Sequence, residues 1–161
     1  MIIAALPSVL SAKASATAEA LAKEGDLTIV RVFTGWRDAA SFKRISEYFD
    51  GKENTGGINV LRTHPEQRAG YYFLIRTANT GAPRSVQARL EIITATTAQP
   101  VVQTFSTELK SGDTTFQLGL TGADWPDAKT SPVAWKLDLA NADGRILTTE
   151  KSYLWEKPTS K

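Results

Sequence analysis

Residues 85–92 read SVQARLEI and residues 133–139 read VAWKLDL, and these two stretches decide the fold class. Apolar and polar residues alternate in both. The apolar positions are Val86, Ala88, Leu90 and Ile92 in the first stretch and Val133, Trp135, Leu137 and Leu139 in the second. A β-strand turns successive side chains to opposite faces, so this period of two predicts strands with one packed face and one solvated face.

Similar stretches recur along most of the chain, and each is closed by turn residues. We predict strands over residues 27–33, 58–61, 71–78, 85–95, 101–109, 114–121, 133–140 and 145–155. Most connections contain Gly, Asn or Asp, which supply the backbone conformations that tight turns require. Closely spaced strands of this kind predict a mainly β fold, an antiparallel β-sandwich of about seven to eight strands.

Over residues 27–155 the pattern resembles the broad immunoglobulin and fibronectin type III class of sandwiches. The resemblance is architectural, because the chain contains no cysteine and so lacks the Cys…Trp…Cys framework of immunoglobulins. The lack of cysteine also excludes disulfides and thiolate chemistry. A fold that is reused this widely implies no particular function.

One short helix is predicted after the first strand, over residues 39–49. Asp38 is a suitable N-cap, because its carboxylate can accept a hydrogen bond from the backbone N–H groups of the first turn. Phe42, Ile45 and Phe49 are three and four residues apart. We therefore expect them to share one helix face that packs on an end or an edge of the sandwich.

The N-terminal residues have the pattern of an export signal. Residues 1–10 are largely apolar, and Ala14 and Ala16 form an A-x-A site of the kind that signal peptidase cleaves. No Lys or Arg precedes the apolar run, so we interpret residues 1–16 as a signal-peptide remnant whose basic part is lost or lies upstream. This hypothesis places the protein in the periplasm or outside the cell; the alternative is the cytoplasm.

The remaining 145 positions suit one globular domain, with 42% hydrophobic and 22% charged residues over the whole chain of 161. We expect an N-terminal helix or flexible segment over residues 17–26, a single β-sandwich domain over residues 27–157 and a tail over residues 158–161. No stretch beyond the N-terminus approaches the length of about 20 apolar residues that a membrane-spanning helix needs.

Positive charge is concentrated in the first half of the sandwich. The net charge is only +2, but ten basic residues face five acidic ones between Arg31 and Arg89. Arg37 lies there beside Trp36 and close to Phe42. We interpret these basic residues as outward-facing strand positions, with an anion-binding face as the alternative. A nucleic-acid ligand is not expected.

Few residues suggest catalysis or metal binding. His64 is the only histidine, which excludes a site with several histidines, and we interpret it as a solvated loop residue. Asn141, Asp143 and Gly144 match part of a calcium loop, but Leu139 stands where the first carboxylate is required, and a hairpin turn explains the match. We expect no catalytic residues, no cofactor and no metal.

The aromatic residues provide the candidate ligand contacts, which are Trp125, Tyr72, Trp36 and Arg37. Trp125 lies in the longest late loop, within the sequence DWPD. It is predicted either to fold over the end of the sandwich as a lid or to stack on a sugar or a partner. Tyr71 and Tyr72 begin a strand with aromatic rings on both faces, so we expect one of them to be exposed.

Together these features favour a non-catalytic exported domain that binds another protein or has a structural role in the cell envelope. The second hypothesis is a carbohydrate-binding module that uses Trp125, Tyr72 and Trp36 as stacking platforms, which requires these rings to be exposed on one surface. The third is a hydrolase that uses scattered carboxylates. The expected partner is accordingly a protein or a polysaccharide of the envelope.

Overall fold

Eight strands form two four-stranded sheets in a computed structural model of the chain, which describes residues 25–97 and 99–155. Their bounds are β1 (Leu27–Arg37), β2 (Asn59–Arg62), β3 (Gly70–Asn79), β4 (Arg84–Ile93), β5 (Val101–Leu109), β6 (Gly112–Thr121), β7 (Ala134–Ala140) and β8 (Ile146–Lys151). The strand order is β1-β3-β6-β2 in the first sheet and β5-β4-β7-β8 in the second. The prediction of a mainly β, sandwich-like fold is confirmed.

One strand departs from the predicted antiparallel arrangement. β2 pairs with β6 in parallel, with Leu61 opposite Leu118, whereas the other pairs of neighbouring strands are antiparallel. A tight hairpin forces two strands to be antiparallel. β2 instead follows a long excursion after β1, so no hairpin determines its direction.

The facing sides of the two sheets form the core. The largest side chains that are fully buried there are Phe73, Ile75, Phe116, Leu118, Val86, Leu90, Ile92, Leu109, Leu137 and Leu139. The apolar side chains of residues 85–92 therefore point into the core as predicted. On β7 the alternation of buried and exposed residues is less regular. Val133 lies before the strand and is exposed, and Asp138 is buried although it lies on the outer face. Thr149 donates a hydrogen bond to Asp138 at 2.6 Å, and Lys136 lies 3.3 Å from it.

The prediction of a continuous helix over residues 39–49 is wrong. The chain forms a short 3₁₀ helix (Ala39–Phe42) and then a single α-helical turn, α1 (Glu47–Asp50). Asp38 is the N-cap as predicted, and its Oδ1 accepts a hydrogen bond from the backbone N–H of Ser41 at 2.8 Å. The backbone is extended at Lys43, with φ −72° and ψ 130°. This break separates the two helical turns.

The break at Lys43 also overturns the predicted apolar helix face. Phe42 is 7% exposed, whereas Ile45 is 77% exposed and Phe49 is 86% exposed. Phe42 contacts the ring of Tyr72 on the outer side of the first sheet. We call residues 38–58 the arm, because this segment leaves β1, is anchored on the outer face of the first sheet and returns to it as β2.

The N-terminal and C-terminal predictions are only partly covered by the structure. The signal-peptide remnant over residues 1–16 and most of the segment over residues 17–26 lie outside the described residues, as does the tail over residues 158–161. In the part of the chain that is described, no helix is long and apolar enough to cross a membrane. The last predicted strand ends at Lys151, and a 3₁₀ helix (Tyr153–Trp155) follows it.

Candidate binding site on the first sheet

The four candidate ligand contacts form two pairs at the same end of the first sheet. Arg37 and Tyr72 line a groove of about 290 Å³ on the outer face. Trp36 and Trp125 line a second hollow of about 340 Å³. Trp36 and Arg37 are neighbours at the end of β1, and successive strand residues point to opposite faces, so the two side chains diverge.

Trp125 is folded over the end of the core. It is 5% exposed and belongs to the core cluster, and its ring centroid lies 5.1 Å from that of Tyr71. Its Nε1 donates a hydrogen bond to the carbonyl of Thr130 at 3.3 Å. The structure therefore corresponds to a lid. Of the two alternatives predicted for Trp125, the buried ring agrees with the lid and not with stacking on a sugar.

Tyr72 is also buried, at 2% exposure, although it projects from the outer face. The arm covers it, with the ring of Phe42 at a centroid distance of 4.7 Å. Its hydroxyl donates to the carbonyl of Arg68 at 2.6 Å and accepts from Arg62 Nε at 2.7 Å. Burial raises the pKa of Tyr72. The expectation that Tyr71 or Tyr72 is exposed is wrong, since the core covers Tyr71 and the arm covers Tyr72.

Two arginine guanidiniums contact the ring of Phe42. The guanidinium carbon of Arg37 lies 3.8 Å from the ring centroid, and that of Arg62 lies 4.8 Å from it. A guanidinium over an aromatic face is attracted by the negative charge density of the ring. Phe42 thus anchors the arm. The sequence suggests only that Phe42 belongs to the apolar face of a helix. Its contacts with two arginines could not be predicted, because those arginines lie on separate strands.

An ion-pair cluster fastens the arm further along. Arg62 donates two hydrogen bonds to the carboxylate of Glu53, at 2.7 and 2.8 Å. Arg68 lies 2.6 Å from Glu47 and 3.5 Å from Glu53. Hydrogen bonding from Arg62 lowers the pKa of Glu53. Burial by itself lowers the pKa of Arg62, but the hydrogen bonds to Glu53 and Tyr72 outweigh it and the net direction is upward.

Arg37 differs from Arg62 because it forms no ion pair with any described residue. Its Nη1 donates to Gln117 Oε1 at 2.8 Å, and its Nη2 donates to the carbonyl of Ser41 at 3.3 Å. Burial lowers the pKa of Arg37, and the charge of Arg62 lowers it further, while Asp38 acts in the opposite direction. An arginine in such a setting stays protonated at neutral pH. Arg37 is therefore a cation without a paired carboxylate.

The groove beside Arg37 exists because residue 35 is a glycine. Gly35 pairs with Tyr72, which pairs with Gly119, so these three residues form one row across the outer face. A Cβ on Gly119 would lie 2.5 Å from the Tyr72 ring, whereas a Cβ on Gly35 would meet nothing within 4 Å. The space above Gly35 is open and forms the groove. Its walls also include Phe33, Leu74 and Gln117.

The tip of the arm presents apolar side chains to solvent. Ile45 and Tyr48 are 77% exposed and Phe49 is 86% exposed. Lys43, Arg44 and Lys52 are exposed nearby in the sequence and form no ion pair with a described residue. The exposure of these residues could not be predicted from the sequence, because it follows from the break in the helix at Lys43. We call Ile45, Tyr48 and Phe49 the arm tip.

The other polar residues singled out from the sequence lie in loops. His64 is partly exposed, with its Nε2 3.1 Å from Asp124 Oδ2. Residues 141–145 form a turn in which the N–H of Asn141 donates to the carbonyl of Arg145 at 3.0 Å, and Gly144 has a φ of +87°. Across residues 25–97 and 99–155, no group of three or more His, Cys, Asp or Glu side chains is placed to hold a metal ion.

Comparison with known proteins adds little to this picture. No protein-family model matches the chain, and no curated protein is significantly similar to it. Among solved structures, a β-glucosidase from Chaetomella raphigera is similar over 78% of this chain, with 15% sequence identity and a TM-score of 0.39. The chain spans only 18% of the length of that enzyme. A likeness of this size carries no inference about the activity of the present chain.

Proposed function

We propose that this chain is a non-catalytic, exported β-sandwich domain that binds a protein partner through the arm tip. The observation that carries the proposal is the contrast within the arm. Phe42, Glu47 and Glu53 hold the arm on the sheet, whereas Ile45, Tyr48 and Phe49 face solvent. These three residues lie within five positions of the chain, and exposed apolar patches are typical of interaction sites.

Anchoring of the arm lowers the cost of binding. A flexible segment loses conformational freedom when a partner orders it, and this loss weakens the complex. The arm is already tied down by the cluster of Arg62, Glu53, Arg68 and Glu47. The arm tip is therefore presented in a defined position before binding. Aromatic side chains such as Tyr48 and Phe49 are frequent anchors at the centres of protein interfaces.

The charges around the arm tip indicate the kind of partner. Lys43, Arg44 and Lys52 are exposed cations close in sequence to the apolar side chains. A partner with an apolar pocket and an acidic rim would match both features. Complementary charge speeds the encounter of two proteins and disfavours wrong partners. This arrangement favours a protein partner over a neutral polysaccharide, since Trp125 and Tyr72 have no free ring face for stacking.

Export and the immunoglobulin-like class belong to the same proposal. The A-x-A pattern that ends at Ala16 supports export, and two packed four-stranded sheets of mainly antiparallel strands support the immunoglobulin-like class. Fractionation of the native host with an intact-mass measurement tests export. We expect an extracytoplasmic protein that begins at Thr17, and a cytoplasmic protein that begins at Met1 would contradict it.

Photo-crosslinking in the native host tests the interaction. A photoreactive phenylalanine analogue replaces Tyr48 in one variant and Tyr153 in a matched control, because both tyrosines are strongly exposed and lie in different parts of the chain. We expect one dominant crosslinked protein from position 48 and none from position 153. Adding Phe49→Ser to the Tyr48 variant should abolish the crosslink without changing the melting temperature. Equal crosslinking from both positions, or none from position 48, would overturn the proposal.

A further inference from the structure

We propose that the groove above Gly35 binds a small organic carboxylate with an apolar body. The carboxylate would lie against Arg37, and the apolar body would lie between Phe33 and Leu74. The groove shares no residue with the arm tip, so the two sites are distinct, and Arg37 connects them through its contact with Phe42 of the arm.

The shape of the groove comes from a single missing side chain. Phe33 and Leu74 face each other across β1 and β3, as do Gly35 and Tyr72. Since Gly35 has no side chain, an open space remains between these residues and Arg37. Its volume of about 290 Å³ is just below the range of about 300–1,000 Å³ for small-molecule sites. A ligand of this size is a small molecule rather than a chain segment.

Two side chains at the otherwise apolar groove, those of Arg37 and Gln117, carry hydrogen-bond donors. A guanidinium has five N–H groups, and the described contacts of Arg37 are one bond to Gln117 and one to Ser41. Gln117 accepts from Arg37 through Oε1, so its amide –NH₂ remains as a further donor in the groove. Thr34 and Tyr72 add no free donor, because the Thr34 side chain points to the opposite face of β1, where it accepts from Tyr71, and the Tyr72 hydroxyl is bonded to Arg68 and Arg62. The remaining N–H groups of Arg37 and Gln117 fit the oxygen atoms of an anion.

The remaining lining is apolar and selects the body of the ligand. Phe33 is about half exposed, and Leu74 is partly exposed beside it. An apolar group placed there would cover both side chains and be removed from water. Because the guanidinium of Arg37 lies against the ring of Phe42 and is bonded to Gln117, it is already oriented when a ligand arrives. A planar carboxylate is the anion that a guanidinium binds with two parallel hydrogen bonds.

An NMR titration with phenylacetate as the probe tests the site, and phenylacetamide serves as its neutral isostere. We expect saturable shifts of the backbone amide of Gly35 and the side-chain amide of Gln117 with phenylacetate. Charge-assisted hydrogen bonds are stronger than neutral ones, so phenylacetamide should bind at least about tenfold more weakly. Equal binding of the two probes, or no saturable shift with phenylacetate, would overturn the proposal.

Three variants test whether phenylacetate binds in the groove. Gly35→Val fills the open space, is free of steric conflict at its Cβ and should abolish binding while keeping the fold. Arg37→Gln should weaken phenylacetate binding at least about tenfold, in line with the loss of a charge-assisted pair. Arg76→Gln is the matched control, because Arg76 is an exposed cation on the same face outside the groove, and it should bind as the unmodified protein does. Unchanged binding by Gly35→Val, or equal losses in Arg37→Gln and Arg76→Gln, would refute the site.

Discussion

Replacement of Phe42 by alanine should release the arm from the first sheet. The ring is almost fully buried, with Tyr72 at a centroid distance of 4.7 Å and the guanidinium carbon of Arg37 at 3.8 Å. Truncation of a buried phenylalanine to alanine costs about 3–5 kcal/mol in protein cores. The aromatic pair and the two cation–π contacts each contribute about 0.5–2 kcal/mol of such a loss.

The loss measured for Phe42→Ala is limited by the way the arm can open. If the arm detaches while the two sheets stay folded, the free energy of global unfolding falls only by what held the arm in place. We therefore expect a decrease of about 3 kcal/mol, at the lower end of the range for core phenylalanines. We also expect new cleavage sites between residues 43 and 58, because an arm that opens locally becomes accessible to proteases.

Urea denaturation and limited proteolysis measure the two effects, and Phe49→Ala is the matched control. Phe49 lies on the same arm but is 86% exposed, so its truncation should change the unfolding free energy by no more than about 0.5 kcal/mol. The reasoning is refuted if Phe42→Ala costs less than about 1 kcal/mol. It is equally refuted if the two variants lose the same stability or if no new cleavage appears in the arm.

Four further substitutions test other contacts. Gly119→Ala should destabilise the protein by about 1–3 kcal/mol, because its Cβ would lie 2.5 Å from the Tyr72 ring. Gly35→Ala should be neutral or stabilising by up to about 1 kcal/mol. The urea unfolding midpoints of the two variants check this contrast. Because hydrogen bonding depresses the pKa of Glu53, its stabilisation is present above the ordinary pKa of about 4.3 and is lost as the pH falls through the folded value. Glu53→Gln should accordingly flatten the fall in unfolding free energy below about pH 5, and an unchanged slope would contradict the ion pair. Trp125→Ala should cost about 3–5 kcal/mol as a buried lid, and a melting temperature within error of the unmodified protein would show an exposed ring.

The candidate site could be predicted only in part, because its residues are brought together by pairing between distant strands. Arg37 and Tyr72 are noticeable in the sequence, and both line the groove. Gly35 lies beyond the end of the first predicted strand, over residues 27–33, although it belongs to β1. Only its position opposite Tyr72 shows that the space above it is open. The burial of Tyr72 was missed because Phe42 reaches it from the arm.

The sequence by itself determined the class of fold and most of the strands, because a period of two in polarity is a local property that any sheet with one packed face requires. Residues 85–92 have their apolar side chains in the core as that pattern predicts. Tertiary structure alone decided the parallel pairing of β2 with β6, the division of the predicted helix at Lys43 and the covering of the first sheet by the arm. The physical reason is that these features depend on contacts between residues far apart in the chain, such as Arg37 with Gln117 and Phe42 with Tyr72. The energies of such contacts are set by burial and geometry that exist only after the sheets have formed.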